Sequence, residues 1–415
     1  MNEKLDQWLF SKQGKTYRYK MEKIRFALDL LGNPERSFSA IHVAGTNGKG
    51  STVAFLRQLL QGHGYRVGTF TSPHLEAVYD RIAINGRSIP ADEFYDILQE
   101  VVQLEEKVAE RYEPFNFFES MTLTMFLYFS RAHLDVAVIE VGIGGLLDTT
   151  NVIDPVVSCI VSVGLDHQDM LGTTLSEIAA QKAGIIKRKT PVVLGPMGEE
   201  CLRVCLGLAQ EMEALAFCDG SDFQLERGVF TNALFRQEIP FLGLKGAYQE
   251  QNAAVALEVF CLWQDDARQV IDWDQVRVSL QETTWPGRLE QVSQMPDIYI
   301  DGAHNLPAIE RLVEFVKAQN KSQVTILFSA LKRKDYTDMV AYLQKNLPAC
   351  QLVLTNFAHE GVITSEDFDG IPYEPDYRSY LHWWQNQAKA DDLLMITGSL
   401  YFISDIRPYL FEKVL

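Results

Sequence analysis

The sequence predicts a two-domain α/β fold, with an N-terminal, mostly parallel sheet that carries helices on both faces and a smaller C-terminal α/β domain. Three observations predict it. Short apolar runs alternate with segments of helical periodicity from residue 40 onward, and polar or glycine-rich turns follow several of these runs. A Trp-Pro-Gly-Arg break at 285–288 divides the alternating segments into two series. The 415 residues suffice for two domains, which we place at 1–290 and 291–415.

Each series has its own candidate strands. In the first series the apolar runs lie at 40–43, 65–70, 134–141, 156–163 and 191–195. Segment 219–245 differs, because its short alternating runs predict an antiparallel hairpin, and helical periodicity resumes over 249–263. The second series predicts a Rossmann-like domain that ends in a helix over 399–411. Its apolar runs lie at 298–300, 324–328, 351–354 and 393–396.

Composition and charge exclude several classes of protein. A net charge of −17 disfavours binding to nucleic acid and to an anionic membrane surface. No apolar run reaches the roughly 20 residues of a membrane span, and residues 1–6 are too polar for a signal peptide. The six cysteines form no Cys-x-x-Cys pair, which is typical of reduced thiols in the cytosol. We therefore expect a cytoplasmic, monomeric protein that binds small molecules, without nucleic-acid or membrane partners.

The most informative stretch is the loop 44–52, Ala-Gly-Thr-Asn-Gly-Lys-Gly-Ser-Thr, between the strand 40–43 and a helical segment from Val53. Glycines let backbone N–H groups close around phosphate oxygens, and a helix N-terminus favours an anion. Lys49 would reach the outer phosphates, and the Ser51 hydroxyl could reach Mg²⁺. The loop therefore predicts a P-loop-type phosphate site.

The spacing within this loop departs from the ordinary P-loop pattern. Two residues rather than four separate Gly45 from Gly48, and Gly50 intervenes before Ser51. The alternative is a glycine-rich turn that binds no ligand. We favour the phosphate site, because few turns need three glycines and a lysine together.

A carboxylate is predicted to be buried at the end of the strand 134–141. Glu140 precedes a glycine-rich turn at 142–145, and the carboxyl ends of parallel strands face the ligand crevice. Burial of a carboxylate costs several kcal/mol unless a cation compensates it, and Mg²⁺ beside a nucleotide would do so. The alternative is a structural glutamate in an ion pair.

Three further groups are candidates for chemistry. His167 follows the strand 156–163 and could bind metal or phosphate, although a lone histidine is more often structural. Lys182 ends an apolar helical segment, either as a surface lysine at a helix C-terminus or as a buried amine poised for modification or phosphate binding. The polar residues 301–305 follow the strand 298–300, and helix capping alone would also explain them.

Together these motifs resemble folylpolyglutamate synthases and bifunctional dihydrofolate synthases, which belong to the Mur ligase superfamily. Each motif alone is modest evidence, but the ordered set is specific and covers essentially the whole chain. The motifs lie at 44–52, 71–75, 118–119, 140–151, 166–167, 182–185, 251–253, 286–288, 301–305 and 398–401.

The resemblance implies an ATP-dependent ligase that adds L-glutamate to the carboxylate of a folate, or to dihydropteroate in the bifunctional members. The substrate carboxylate would become an acyl phosphate, with release of ADP and phosphate. Residues 1–290 would form the ATP-binding, Mur ligase central-type domain, and 291–415 the glutamate-ligase domain. A peptidoglycan Mur ligase and a non-catalytic nucleotide-binding protein are the alternatives. The motif at 71–74 favours the folate branch, and the full set of phosphate and metal groups favours catalysis.

The resemblance also implies a role for each site residue. ATP would be held by Thr46, Asn47, Gly48, Lys49, Gly50, Ser51, Asn252, Arg288 and Asp301. Mg²⁺ would be held by Ser72, Glu140 and His167. Folate would be held by Phe118, Leu147, Asp148 and Thr149. The catalytic residues would be Lys49, Lys182 and His304, with Lys182 carbamylated.

Two of the chain's departures from the family pattern change the polarity beside these residues. Leu146 stands where the family has arginine, which removes a charge that could help to hold the substrate. Gln181 replaces the usual glutamate before Lys182 and changes the polarity beside it.

Overall fold

The computed structural model describes residues 2–14, 21–332 and 336–413 and divides into two compact units. Unit 1 contains Met1–Pro73, Tyr79–Gly243 and Glu250–Thr283. Unit 2 contains His74–Val78, Leu244–Gln249 and Thr284–Leu415. Unit 1 has a large, mostly parallel sheet and unit 2 a smaller α/β sheet, so the predicted fold class is confirmed.

The first part of the chain, to residue 283, contains the following elements. Its strands are β1 Ser39–Ala44, β2 Val67–Phe70, β3 Ile82–Ile84, β4 Arg87–Ser88, β5 Val136–Glu140, β6 Val157–Ile160, β7 Val192–Leu194, β8 Ala216–Cys218, β9 Phe223–Glu226, β10 Val229–Asn232 and β11 Arg236–Glu238. Its helices are α1 Asn2–Phe10, α2 Met21–Leu30, α3 Lys49–Gly62, α4 Ala91–Val108, α5 Phe117–Arg131, α6 Gln168–Leu171, α7 Leu175–Ala183, α8 Glu199–Glu211, α9 Gln249–Asp266 and α10 Trp273–Glu282.

The large sheet has the strand order β4-β3-β2-β5-β1-β6-β7-β8. The strands from β2 to β8 along this order are parallel, and β3 and β4 form an antiparallel edge. Strand β1 lies between β5 and β6, and all its residues after Ser39 are buried, as a central parallel strand requires.

Strand β6 ends at Ile160, although the apolar run predicted a strand to residue 163. Beyond Ile160 the backbone turns to the glycine loop, where the carbonyl of Ser162 accepts the N–H of Thr46 at 3.0 Å. The end of the apolar run therefore supports the loop instead of extending the sheet.

Segment 219–245 forms a separate antiparallel sheet with the order β11-β10-β9. The predicted antiparallel excursion is confirmed, with three strands instead of the two of a hairpin. Trp273 of α10 packs near the rings of Phe230 and Phe235, at centroid distances of 6.1 and 5.1 Å, and so links this sheet to α10.

Unit 2 holds a second α/β sheet with the order β12-β13-β17-β14-β15-β16. Its strands are β12 Glu290–Gln294, β13 Asp297–Ile300, β14 Gln323–Phe328, β15 Gln351–Thr355, β16 Tyr373–Glu374 and β17 Asp392–Thr397. Its helices are α11 Leu306–Ala318, α12 Tyr336–Asn346, α13 Tyr377–Gln387 and α14 Leu400–Lys413. Strands β13, β14, β15 and β17 match the apolar runs of the sequence, whereas the two-residue strand β16, parallel to β15, was not predicted. Strand β12 escaped prediction because Val292 is its only apolar residue.

Two further expectations can be compared with the described residues. All six cysteines are free thiols, as the sequence predicted. Within the described ranges, no helix has the length and apolar character that crossing a bilayer requires.

Candidate functional site

The glycine loop joins β1 to α3 and depends on Gly48 for its shape. Gly48 has φ +86°, in the left-handed region that side chains other than glycine rarely adopt. A Cβ atom at this position would lie 2.3 Å from Oδ1 of Asn252. Asn252, a predicted ATP ligand on α9, therefore packs directly against the loop, and only glycine leaves room for it.

The loop is anchored on the residues that follow β6. The Thr46 hydroxyl donates to the Gly164 carbonyl at 3.1 Å and accepts the Gly164 N–H at 3.0 Å. Asn47 N–H donates to Oγ of Ser162 at 3.0 Å, and that hydroxyl donates to the Asn47 carbonyl at 2.8 Å. Ser162 and Gly164 were not among the predicted site residues, although they belong to the polar turn that the sequence marks after β6.

Lys49 lies folded over its own loop, at the N-terminus of α3. Its Nζ donates to the carbonyl of Gly45 at 2.9 Å and to that of Thr46 at 3.4 Å. The same Nζ lies 3.9 Å from Oε1 of Glu140, and the Lys49 side chain is 17% exposed. The Lys49 ammonium group thus lies between the loop and the buried Glu140 carboxylate, where its positive charge would attract a bound phosphate group.

Glu140 ends β5 and is buried, as predicted, with 3% exposure. Its Oε2 accepts the backbone N–H of Ser72 at 3.3 Å. The structure thus brings together Ser72, Glu140 and Lys49. Within the described ranges no three His, Cys, Asp or Glu side chains form a metal-binding group. Mg²⁺ prefers oxygen ligands, commonly one or two carboxylates with water and phosphate, so the Glu140 carboxylate beside a phosphate loop fits this ion.

Lys182 lies on α7 and is 4% exposed, so the surface-lysine alternative is wrong. Burial and, to a smaller extent, the positive charge of Lys49 lower the pKa of Lys182 to about 7, with the negative charge of Asp166 opposing both effects. Lys182 is therefore within electrostatic reach of the glycine loop. Near neutral pH a large fraction of its amine is uncharged.

His167 begins α6 with φ +50°, next to Asp166. Its Nε2 lies 3.8 Å from Oδ2 of Asp166, whose Oδ1 accepts the His167 N–H at 2.9 Å. The predicted metal ligand His167 thus has a carboxylate partner in Asp166, its neighbour in the motif 166–167.

The turn after β5 is shaped by Asp148. Its Oδ2 accepts the N–H groups of Gly142 and Ile143, at 3.0 and 3.1 Å. Its Oδ1 accepts the N–H of Thr150 at 3.0 Å and the Thr150 hydroxyl at 2.6 Å. Burial raises the pKa of Asp148, and these hydrogen bonds counter that rise. Leu147, in the same turn, is 47% exposed.

Helix α5 brings Phe118 to this turn. The helix starts with a capping box formed by Asn116 and Glu119. A Cβ atom at Gly142 would lie 2.6 Å from Cζ of Phe118, so this ring packs on the glycine backbone. Thr149 also contacts α5, through an Oγ1–Oγ1 distance of 2.9 Å to Thr122. Phe118, Asp148 and Thr149 are thus neighbours of a single turn.

Unit 2 contains the remaining predicted residues, grouped around Asp301 at the end of β13. The Asp301 carboxylate accepts the N–H groups of Leu289 and Ala303, at 2.8 and 2.9 Å. Burial raises the pKa of Asp301, and the charge of Arg288 opposes that rise. His304 Nδ1 lies 2.8 Å from the Gly302 carbonyl and donates to it.

The predicted capping role at 301–305 is confirmed. Asn305 accepts the N–H of Ala308 at 3.1 Å and begins α11. Arg288 lies against this segment, because a Cβ atom at Gly302 would be 3.2 Å from its Nη1. The segment after β13 therefore both caps α11, through Asn305, and brings together the charged residues Arg288 and Asp301.

The fit between Gly48 and Asn252 can be tested by Gly48→Ala. We expect loss of nucleotide binding and a lower free energy of unfolding, because the methyl group meets Oδ1 of Asn252 in a left-handed backbone. Gly64→Ala is the matched control, since Gly64 has φ +88° but nothing within 4 Å of its Cβ position. It should cost only the backbone strain of about 1–2 kcal/mol. Calorimetric titration with ATP and thermal melts compare the two; equal ATP affinity in both variants would contradict this account.

Two domain models of known families match the chain in the regions that carry these residues. The Mur ligase middle domain matches residues 43–195, which include the glycine loop, Glu140 and Lys182. The glutamate ligase domain of Mur ligases matches residues 287–400, which include Arg288, Asp301 and His304.

Individual relatives match nearly the whole chain. The dihydrofolate synthase/folylpolyglutamate synthase of Bacillus subtilis is 35% identical over 401 residues, which cover 91% of each chain. The folylpolyglutamate synthase of Lacticaseibacillus casei is 34% identical over 406 residues and 93% of each chain. The structure of E. coli FolC in complex with DHPP and ADP superimposes with a TM-score of 0.89 at 26% identity, covering 100% of this chain and 98% of that one. The chain therefore belongs to the folylpolyglutamate synthase and dihydrofolate synthase family of Mur ligases.

Proposed function

We propose that this protein is an ATP- and Mg²⁺-dependent ligase that joins L-glutamate to the carboxylate of a folate. The observation that carries the proposal is the placement of Lys49 between a glycine loop and the buried Glu140, 3.9 Å from its Nζ, in a chain of this family. A nucleotide-binding protein without catalysis would not need a buried carboxylate and a buried low-pKa lysine beside the same loop.

The chemistry requires that two anions meet. The terminal phosphoryl group of ATP is transferred to the substrate carboxylate, and the amine of glutamate then displaces phosphate to form the amide. Lys49 and the N-terminus of α3 would offset the repulsion between phosphate and carboxylate. The loop residues from Thr46 to Ser51, with Asn252, would hold the phosphates.

Glu140, with Ser72 and His167, would hold Mg²⁺. When bound, this ion would neutralise charge on the phosphate oxygens. Glu140 is buried at the end of a central strand, so its position is fixed before any ligand arrives.

Lys182 would act as a carbamate. The neutral amine attacks CO₂, a C–N bond forms and a proton is released, so that an uncharged amine becomes an anionic carbamate. The low pKa of about 7 provides the neutral amine at physiological pH. The resulting negative charge would lie within electrostatic reach of Lys49.

We include Arg288, Asp301 and His304 among the residues that would bind the nucleotide. Asp301 bonds the backbone of Leu289 and Ala303, each of which is the chain neighbour of one of the other two residues. The buried Asp301 carboxylate would thus fix the backbone next to Arg288 and the backbone next to His304.

The turn that carries Leu147, Asp148 and Thr149, together with Phe118, would form the folate side. The exposed Leu147 and the ring of Phe118 offer apolar surface to an aromatic substrate. We extend the proposal to a division into domains at 1–290 and 291–415, and to a monomer that works in the cytoplasm.

A substrate panel tests this function. Dihydropteroate, tetrahydrofolate and methylenetetrahydrofolate are each incubated with ATP, Mg²⁺ and L-glutamate, and products are read by mass while ADP is measured. We expect one added glutamate for each ADP released. ATP binding without ADP release that depends on folate and glutamate would contradict the proposal and favour a non-catalytic binding protein.

We include dihydropteroate as a second acceptor, because the similar Bacillus subtilis protein carries both names. Formation of dihydrofolate would support the bifunctional form. Turnover of the reduced folates alone would restrict the protein to polyglutamate formation.

A further inference from the structure

Asp148 has no acceptor site left for a ligand. A carboxylate oxygen offers two lone pairs, and each oxygen of Asp148 already accepts two hydrogen bonds at 2.6–3.1 Å. The residue is 4% exposed. Its carboxylate therefore holds the turn at 142–150 together, and any effect on a substrate is exerted through the shape of that turn.

The hydrogen bonds of Thr150 have a fixed direction. Its hydroxyl has one proton, which is donated to Asp148 at 2.6 Å. Nε2 of His42 lies 2.9 Å from the same hydroxyl oxygen. Because the Thr150 proton is already used, the His42 ring must carry a proton on Nε2 and donate it to Thr150.

His42 is buried as a neutral ring. Its side chain is 0% exposed, and among the described residues its Nδ1 has no hydrogen-bond partner. Burial and, to a smaller extent, the positive charge of Lys187 together lower the pKa of His42 to about 3. A residue that only packed in this strand would be apolar. His42 instead introduces a hydrogen-bond donor and leaves Nδ1 without a partner, and its hydrogen bond to Thr150 offsets the cost of burying that nitrogen.

The chain from His42 through Thr150 to Asp148 joins two parts of the site. His42 is on β1, opposite Ile139 of β5 and two residues before the end of the strand that leads into the glycine loop. Asp148 holds Gly142 and Ile143, which lie two and three residues after Glu140, and Phe118 packs on Gly142.

We propose that His42 is a positioning residue which, by donating from Nε2 to Thr150 and through it to Asp148, fixes the turn at 142–148 in the shape that receives the folate substrate. The inference rests on the proposed function, which makes this turn the substrate side. His42 itself touches no substrate. A residue with a merely structural role would instead affect stability and all kinetic constants together.

Four single variants test this assignment. His42→Phe and Thr150→Val remove the hydrogen bonds at similar volume, whereas His42→Gln keeps an N–H donor and Thr150→Ser keeps the hydroxyl. We expect His42→Phe and Thr150→Val each to raise the KM for the folate substrate about tenfold, because each variant loses one buried hydrogen bond. The KM for ATP should remain unchanged. The conservative variants should stay within about threefold of the wild type. The double variant should be no worse than the poorer single variant, because both changes break one chain.

The inference would be overturned if the KM values for ATP and for folate rose equally, or if His42→Gln were as impaired as His42→Phe. It would also be overturned if the rise in the KM for folate in the double variant equalled the product of the rises in the two single variants. If His42→Phe does not fold, the pair Thr150→Val and Thr150→Ser makes the same comparison.

A readout without turnover separates this inference from the proposed function. ¹⁵N NMR of histidine-labelled wild-type protein, with Thr150→Val for assignment, should show His42 at neutral pH as the neutral Nε2–H form. The Nδ1–H form or a charged ring would overturn the inference even if the enzyme is active. Absence of folate-dependent turnover in the wild type, with the Nε2–H form present, would instead overturn the proposed function.

Discussion

Replacement of Lys49 with alanine is expected to reduce kcat by at least about 10²–10³-fold, with the fold intact. The reason is electrostatic. Lys49 Nζ lies 3.9 Å from Glu140 and bonds the carbonyls of Gly45 and Thr46, so it is the loop's own cation where a phosphoryl group must approach a carboxylate. ADP release in the presence of folate and glutamate measures the loss, and circular dichroism monitors the fold.

Two comparisons make the Lys49 result specific. Lys107→Ala, at an exposed position in α4, removes the same charge away from the loop and should leave kcat unchanged. Lys49→Met keeps most of the side-chain length and should be as inactive as Lys49→Ala, because the charge is the essential feature. Near-normal turnover in either Lys49 variant would refute the phosphate-binding role of the loop.

The sequence could predict the loop and Glu140 because both signals are local. An apolar run that ends in glycines and a lysine specifies a strand, a turn and a helix start within about 15 residues, and the alternation of strands and helices predicts a mostly parallel sheet. Strand β12 lacks such a signal, since its single apolar residue, Val292, gives no alternation to recognise.

The roles of His42, Ser162 and Asp166 could not be predicted in the same way. His42 is a single polar residue inside an apolar strand, and its partner Thr150 lies 108 positions further along the chain. Asp148 shows the converse. Its place in a motif suggested contact with the ligand, but the structure fills its acceptors with backbone and hydroxyl donors. The direction of hydrogen bonds in a buried group is tertiary information, which periodicity and spacing do not contain.

Lys182→Ala is expected to remove most activity, and added short carboxylic acids such as acetate should restore part of it. The physical reason is that the acid's carboxylate can supply, in the space left by the side chain, the negative charge that the proposed carbamate would provide. In the wild type, ¹³C-bicarbonate should give a carbamate signal that Lys182→Ala lacks. Lys189→Ala, with a side chain that is 70% exposed, is the control and should retain both activity and the signal.

The pH dependence of stability gives an independent test of the buried amine. The pKa of Lys182 is lowered from 10.5 to about 7, so between these values the unfolded chain holds a proton that the native protein lacks. Unfolding then takes up protons, and the contribution of this residue to the free energy of unfolding rises with pH across that window. Below about pH 7 the native protein must bury an ammonium group. Lys182→Met, without bicarbonate, should therefore stabilise the protein most at pH 6 and progressively less towards pH 10. Urea titrations across this range measure the difference, and a stabilisation independent of pH would show that Lys182 keeps its charge and cannot form the carbamate.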